Sequence, residues 1–385
     1  MTRPGLATSE APPVADLGTA LTAFSEEVFS SIGRADQRRW AQAYLSGLLI
    51  TPGNKSVRRL ARFVSTSPTA AQSLRQFVST SPWGWDSVMR KLTHWAERRK
   101  PASAWTVHRV VIPKSGEWSV GVHRYFDPFS GRTLNCQLGI GAFASIGAVQ
   151  VPVDWRLHLP SPWVEDAQLR RRARIPDTVR YQSLGSQMLD LVDTLTSRTA
   201  HASVPLVADM SDAPDADSLV RGLCRRDRDF VVALPQNLKV HPIDEGAPHA
   251  RGLVSAGDYV SAARAVGTAL VTTEDDRQWH TQVHSALVRL PAGRTAGPPD
   301  GPFRLLTEVA PGTHPGPVWI TNLTHWPLDD IMSLATLRTS ASASVDAMKR
   351  DFGLGDFEGR SFPGWHHHMT LVSSAYTYRR LAASL

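Results

Sequence analysis

The sequence predicts an α/β fold preceded by a helical N-terminal region, and three observations lead there. Apolar residues recur at three- and four-residue spacing from Val14 to about Arg99. After Pro101 the pattern changes to runs of β-branched and aromatic residues separated by glycine turns. From Val204 onward, short apolar strands alternate with helical stretches.

The elements follow in order. Residues 1–13 carry three prolines among small and polar residues and read as a disordered tail. Across 14–100, Leu17, Leu21, Phe24, Val28 and Phe29 mark one helical face. Ala41, Tyr44, Leu45, Leu48 and Leu49 mark a second, and Val57, Leu60, Ala61 and Val64 a third, with Pro52-Gly53-Asn54 as a break between the last two. The hexapeptide FVSTSP occurs at Phe63–Pro68 and again at Phe77–Pro82. It reads as two similar helix ends, each followed by a Ser-Pro turn, and two copies do not make a repeat architecture.

Trp105–Ile112, Ser119–Tyr125, Leu134–Ala144 and Gly147–Leu157 read as consecutive strands. A polar helical stretch follows near Ser161–Arg174, then a helix at Ser183–Arg198, a strand at Val204–Asp209, a helix at Asp215–Cys224 and a strand at Phe230–Leu234. Together 101–237 form the first part of the core. The segment 238–325 reads as an insertion, irregular and rich in Gly, Ala and Pro over 238–300, then β-rich at Phe303–Val309 and Val318–Thr324. Two helices, Leu328–Phe352 and Trp365–Leu381, lie within 326–385 and complete the core.

Composition narrows the function classes. A chain of 385 residues, 42% hydrophobic and 20% charged, is an ordinary globular sequence with enough apolar residues for a sizeable core. A formal charge of +7 favours polyanionic partners but says nothing about fold. Two cysteines, Cys136 and Cys224, exclude a disulfide framework or a paired-cysteine metal clip, and both read as small buried hydrophobes. The N-terminus lacks the apolar stretch of a signal peptide, and no run of about 18 apolar residues occurs. The expectation is a cytoplasmic protein with no membrane partner.

Three strands, a helix, a strand and a late helix beyond an insertion is the order of a ribonuclease-H-like core. The local text carries a more specific likeness. WTVHRVVIPKSGEWSVGVHRYFDPFSGRTLNCQLGIGAF contains Pro113-Lys114, Ser119–Val122 and Asn135–Gln137 without gaps against the family pattern. Val153–Pro176 supplies an Arg-Leu-x-Leu-Pro run, a Trp and an arginine cluster, and VADMSD (Val207–Asp212) and ALPQN (Ala233–Asn237) fall where two core strands end. Gln42–Leu49, Ser73–Trp83 and the closing Gly353–Tyr378 also fit. From about residue 38 onward the chain resembles bacterial insertion-sequence transposases of the DDE superfamily, in the subgroup with a Tyr-Arg-Glu-Lys signature.

That resemblance implies a mixed sheet with flanking helices and a site in which three carboxylates hold two Mg²⁺ ions on a phosphodiester. This chain departs from it in a defined way. The first-strand acidic pair falls on His108 and Arg109, the second acidic position is kept as Asp209, and the late-helix signature reads Ala335, Arg338, Ser342, Lys349. No cofactor and no catalytic residue is therefore expected, and Arg109 is expected to pair with Asp209 in place of the metals, since a guanidinium stays charged. Asp127, Asp212 and Asp346 read as surface carboxylates.

Arg338 and Lys349 are expected to keep their phosphate contacts. Lys55, Arg58 and Arg59, and Arg170, Arg171 and Arg172 within LRRRAR, are further DNA-binding candidates, and Arg225, Arg226 and Arg228 form a third basic cluster. His366-His367-His368 has no Cys or acidic partner at metal-ligand spacing and reads as structural or DNA-facing. The implied function is a transposase-derived DNA-binding protein without metal-dependent cleavage, with a homodimer compatible with it. The alternative is a transposase scaffold recruited as an enzyme or accessory protein in specialised metabolite biosynthesis, with His108, Arg109 and Asp209 meeting a small-molecule substrate.

Overall fold

The computed structural model describes residues 14–127, 131–198, 204–243, 252–292, 301–309 and 316–382. The expected tail at 1–13 lies outside them.

Five helices open the chain: α1 (Val14–Val28), α2 (Ala35–Ile50), α3 (Val57–Val64), α4 (Ala70–Ser79) and α5 (Trp85–Glu97). Gly53, at φ +63°, lies in the turn between α2 and α3 that the Pro-Gly-Asn sequence announces. The FVSTSP copies do close two helices, α3 and α4. Their phenylalanines differ in fate, for Phe77 is buried while Phe63 is half exposed. The C-terminal helix α12 (Phe362–Ala382) is buried on nearly every side, as expected of a helix without a polar face. It packs on α2, α4 and α5 and also on a core strand, so it fixes the bundle to the sheet.

The core strands are β1 (Trp105–Pro113), β3 (Arg132–Ile146), β4 (Val149–Leu157), β5 (Leu206–Asp209) and β6 (Phe230–Leu234), with β2 (His123–Asp127) as an outer ribbon on β3. The order β4-β3-β1-β5-β6 has β3 antiparallel to both β1 and β4, with β5 parallel to β1 and β6 parallel to β5. This is the ribonuclease-H-like arrangement read from the sequence.

Strand alternation sorts the two faces. On one face Val207, Val231 and Ala233 join Ile331, Met332 and Ala335 of the long helix α11 (Leu328–Phe352). On the other, Leu206, Ala208, Phe230 and Val232 join Met188 and Leu191 of α8 (Leu184–Arg198) and Leu219 of α9 (Ala216–Cys224). Strands buried on both faces need continuous apolar text, which is why β5 and β6 are easy to read.

Three local expectations change. Ser119–Val122 is a turn and not the start of a strand: Gly121 sits at φ +74° and the Val122 N–H donates to the Ser119 carbonyl. The stretch Ser161–Arg174 is two short helices, α6 (Ser161–Glu165) and α7 (Ala167–Ala173), because the Asp166 carboxylate caps the second by accepting from the Gln168 and Leu169 N–H groups.

The third change is that the segment 238–300 is not irregular throughout. It contains β7 (Lys239–Pro242), β8 (Val254–Ser255), α10 (Ala256–Ser261), β9 (Val266–Thr272) and β10 (Gln278–Arg289). The hairpin β9–β10 buries Ala269, Val271 and Val283 but leaves the apolar Val266 and Trp279 exposed, so its apolar–polar alternation is imperfect. With β11 (Phe303–Glu308) and β12 (Val318–Thr321) these strands extend the same sheet outward from β6.

Candidate functional site

The site is built where β1 and β5 run side by side against α11. Register pairs Val107 with Ala208, so the next residues, His108 and Asp209, come level. Neighbours across a parallel pair share a face, while successive residues of one strand point to opposite faces. Of the pair at 108 and 109, His108 is therefore the one on Asp209's face.

Asp209 ends β5 and is almost fully buried. Its Oδ1 accepts from the Ser211 N–H at 3.0 Å and the Ser211 hydroxyl at 2.7 Å. Its Oδ2 meets Nη1 of Arg338, from α11, at 3.2 Å. Burial pushes this carboxyl up, but the Ser211 hydroxyl and N–H and the Arg338 and Arg109 guanidiniums together hold it below the usual carboxylate range. It is a carboxylate already satisfied by protein donors. The Arg338 guanidinium also lies 5.9 Å from the centre of the Trp319 ring of β12.

Burial pushes the His108 imidazole down to about 4. Asp209 opposes this, while Arg109, Lys349 and Arg338 add to it. The ring is neutral near pH 7.

Arg109 does not form the expected ion pair with Asp209. It donates instead to Asp212, on the turn that follows β5. The Tyr125 hydroxyl lies 3.5 Å from Arg109 Nη1 and 3.4 Å from Asp212 Oδ2. The physical reason for the correction is strand alternation, which aims Arg109 away from Asp209's face. Asp212 is exposed, as expected of a surface carboxylate, yet it is also the ion-pair partner of a site residue.

On α11, Ala335 is buried, Ser342 is half-buried, and Lys349 and Asp346 are exposed. Partial burial pushes the Lys349 ammonium down, with Asp346 and Asp127 opposing.

The basic candidates divide. Lys55 is 4% exposed. Its ammonium donates to the Thr51 carbonyl, and its backbone N–H donates to Asp356 Oδ2 at 2.6 Å. Its stem occupies the space over Gly353, where a Cβ would overlap Lys55 Cγ. Lys55 therefore ties the α2–α3 junction to the end of α11, and its use as a surface phosphate contact is corrected.

Arg170 is likewise consumed internally, donating to the carbonyls of Val164 (2.9 Å), Val179 (3.1 Å) and Pro176 (2.6 Å). Arg58, Arg59, Arg171 and Arg172 are exposed. Arg226 is paired with Asp193 at 2.6 Å.

All three consecutive histidines are buried. His368 Nδ1 lies 3.0 Å from the Tyr44 hydroxyl and Nε2 lies 3.0 Å from the Gly353 carbonyl. One neutral tautomer satisfies both contacts, with Nε2–H donating to the carbonyl and the tyrosine donating to Nδ1. His367 lies between the Val78 and Trp83 carbonyls, 2.9 Å from each, and stacks on the Trp83 ring. His366 stacks on Trp85. These rings are core, so the DNA-facing option for them falls.

Sequence reasoning missed Tyr125 and Ser211 as site members and Asp212 as the partner of Arg109, and it assigned Arg338 to DNA and not to Asp209. Ser211 and Asp212 carried a signal, since both stand within three residues of Asp209. Tyr125 carried none, being brought in by the β2–β3 pairing.

A ribonuclease-H-like sheet with an acidic residue ending its fourth core strand defines the class. Residues 27–287 match the DDE superfamily endonuclease family, and the chain belongs to that family. Among solved structures, it is similar to the piggyBac transposase in a cryo-EM synaptic complex with hairpin DNA, at 9% identity and a TM-score of 0.46, over 94% of this chain and 72% of that one. No curated protein matches it. No described helix is long and apolar enough to cross a membrane.

Proposed function

We propose that this chain binds DNA through a surface derived from a transposase and does not carry out divalent-metal-dependent strand cleavage. The observation that carries this reading is the Arg338–Asp209 ion pair at 3.2 Å. The family implies a pair of divalent cations, and two such ions need several hard oxygen ligands. The donor set at the site does not fit them. A neutral imidazole stands at the first-strand position, a hydroxyl at Ser342, and the carboxylate of Asp209 is bound by a guanidinium. Among the described residues, no three His, Cys, Asp or Glu side chains stand together as metal ligands.

DNA binding is supported by the family's endonuclease character and the basic balance of the chain. The exposed arginines Arg58, Arg59, Arg171 and Arg172 are the candidate phosphate contacts, joined by Lys349. On this reading the helical region 14–100 and the insertion 238–325 flank a core formed by 101–237 and 326–385.

A gel-shift over a salt series, run with Mg²⁺ and with chelator, tests the proposal. The expected result is a shift at low salt that weakens steeply as salt rises, with intact DNA in both series. Absence of any shift at low salt would remove the binding claim. Mg²⁺-dependent nicking that disappears in Asp209→Asn would remove the other.

A further inference from the structure

A second feature lies outside the Asp209 site and shares no lining residue with it. A cavity of about 340 Å³ opens between the loop before β2 and helix α7. Trp118 lies on its rim, 57% exposed, with the Arg172 guanidinium 4.6 Å from the ring centre. Trp163 forms part of the wall. It is buried, and its indole N–H donates to the Val122 carbonyl at 3.0 Å. Arg124 and Glu117 also line the space. Asn135 holds the loop in place, its side-chain amide donating to the Lys114 and Gly116 carbonyls at 3.0 and 3.2 Å.

A largely exposed indole next to two guanidiniums is a stacking platform with cations at hand for a phosphate. Glu117 adds an acceptor at the rim, suited to an exocyclic amine. The volume lies in the range of small-ligand sites. A base inside a duplex is stacked and paired and leaves no face for an indole, whereas the base of a single strand or of a free nucleotide does.

We infer that this pocket receives one unpaired nucleotide unit, its base on Trp118 and its phosphate on Arg172 and Arg124. The shared chemistry is a base bearing a phosphate, supplied either by a single strand or by a free mononucleotide. The single-strand form rests on the proposed DNA binding, and the mononucleotide form does not.

The test uses the full chain and 2-aminopurine, whose fluorescence is quenched by stacking. Three probes are titrated: a single-stranded oligonucleotide carrying one 2-aminopurine, a duplex with the probe paired, and 2-aminopurine monophosphate. At least one of the two unpaired probes is expected to be quenched on binding, and the paired probe is not. Trp118→Ala is expected to weaken binding of the quenched probe about 10-fold, while Trp279→Ala, at another exposed tryptophan, leaves it unchanged. Arg172→Ala, which keeps the indole, is expected to weaken binding with a smaller loss of quenching.

Quenching of the single strand alone assigns the pocket to nucleic acid, and quenching of the monophosphate alone assigns it to a free nucleotide. Duplex binding without quenching of either unpaired probe overturns the pocket and leaves the DNA reading standing. Monophosphate quenching that depends on Trp118, with neither duplex nor single strand bound, supports the pocket and removes the DNA reading. Failure of all three probes removes both. Equal quenching in wild type and Trp118→Ala overturns the assignment of the stacking residue.

Discussion

Asp209 and Arg338 are joined across the strand–helix interface by an ion pair of 3.2 Å, although they stand far apart in the chain. The buried carboxylate that ends β5 is held by a cation from α11. Arg338→Ala is expected to leave Asp209 buried without its partner and to cost about 2–3 kcal/mol, less than a fully buried pair because Arg338 is partly exposed. Urea denaturation measures this. Because the two residues act as a pair, Asp209→Asn combined with Arg338→Ala should cost less than the sum of the single losses. Strict additivity would show that the contact contributes no coupling.

The proposed loss of metal ligands can be tested by adding carboxylates. His108→Asp with Ser342→Glu places carboxylates at two of the positions that the proposed reading assigns to the family's acidic residues. This double variant is expected to gain a concentration-dependent rise in Tm with Mn²⁺, because a bound metal stabilises only the folded state. The unaltered protein is expected to show no such rise. A Mn²⁺-dependent rise in the unaltered chain that is lost in Asp209→Asn would contradict the donor-set argument.

The exposed and internal arginines should separate in the same experiment. Arg58→Ala and Arg171→Ala are expected to lower DNA affinity with little change in stability. Each should reduce the slope of log K against log salt by about 1. Arg170→Ala is expected instead to lower the unfolding midpoint, since three carbonyls lose a donor. A salt slope that changes with Arg170 but not with Arg58 or Arg171 would reverse the assignment.

Acid should destabilise the junction between the helical bundle and the core. Burial holds the His366 imidazole well below its usual value and pushes His368 down to about 4. The unfolded chain therefore takes up these protons first as pH falls below about 6.5. The contribution to stability is complete above that pH, declines towards pH 4, and levels off once the folded rings are also protonated. His368 alone accounts for up to about 3 kcal/mol of this loss. His368→Gln should lower stability at pH 8 yet flatten the decline between pH 6.5 and 4. An unchanged slope in that variant would assign the pH dependence elsewhere.

Much of the fold was legible because burial writes itself into local text. The strands β1, β3, β4, β5 and β6 carry dense apolar and β-branched residues, and α11 reads correctly from Leu328 to Phe352. The hairpin β9–β10 was not legible, because only part of it is buried and exposed apolar residues such as Val266 and Trp279 blur its alternation. The three histidines resembled a metal or surface motif by composition, yet the partners of His367 and His368, namely Val78, Trp83, Tyr44 and Gly353, come from other segments.

By itself the sequence determined the order of the core strands and helices and marked His108, Arg109, Asp209 and Ser342 as candidate site residues. Those are properties of the chain text, and no folding can change them. Only the tertiary structure decided which cation serves which carboxylate. Alternation along β1 turns His108 towards Asp209's face and Arg109 away from it, while the crossing of α11 brings Arg338 within 3.2 Å. Ion pairing depends on side-chain direction and distance between elements, and those quantities exist only once strand, turn and helix have packed.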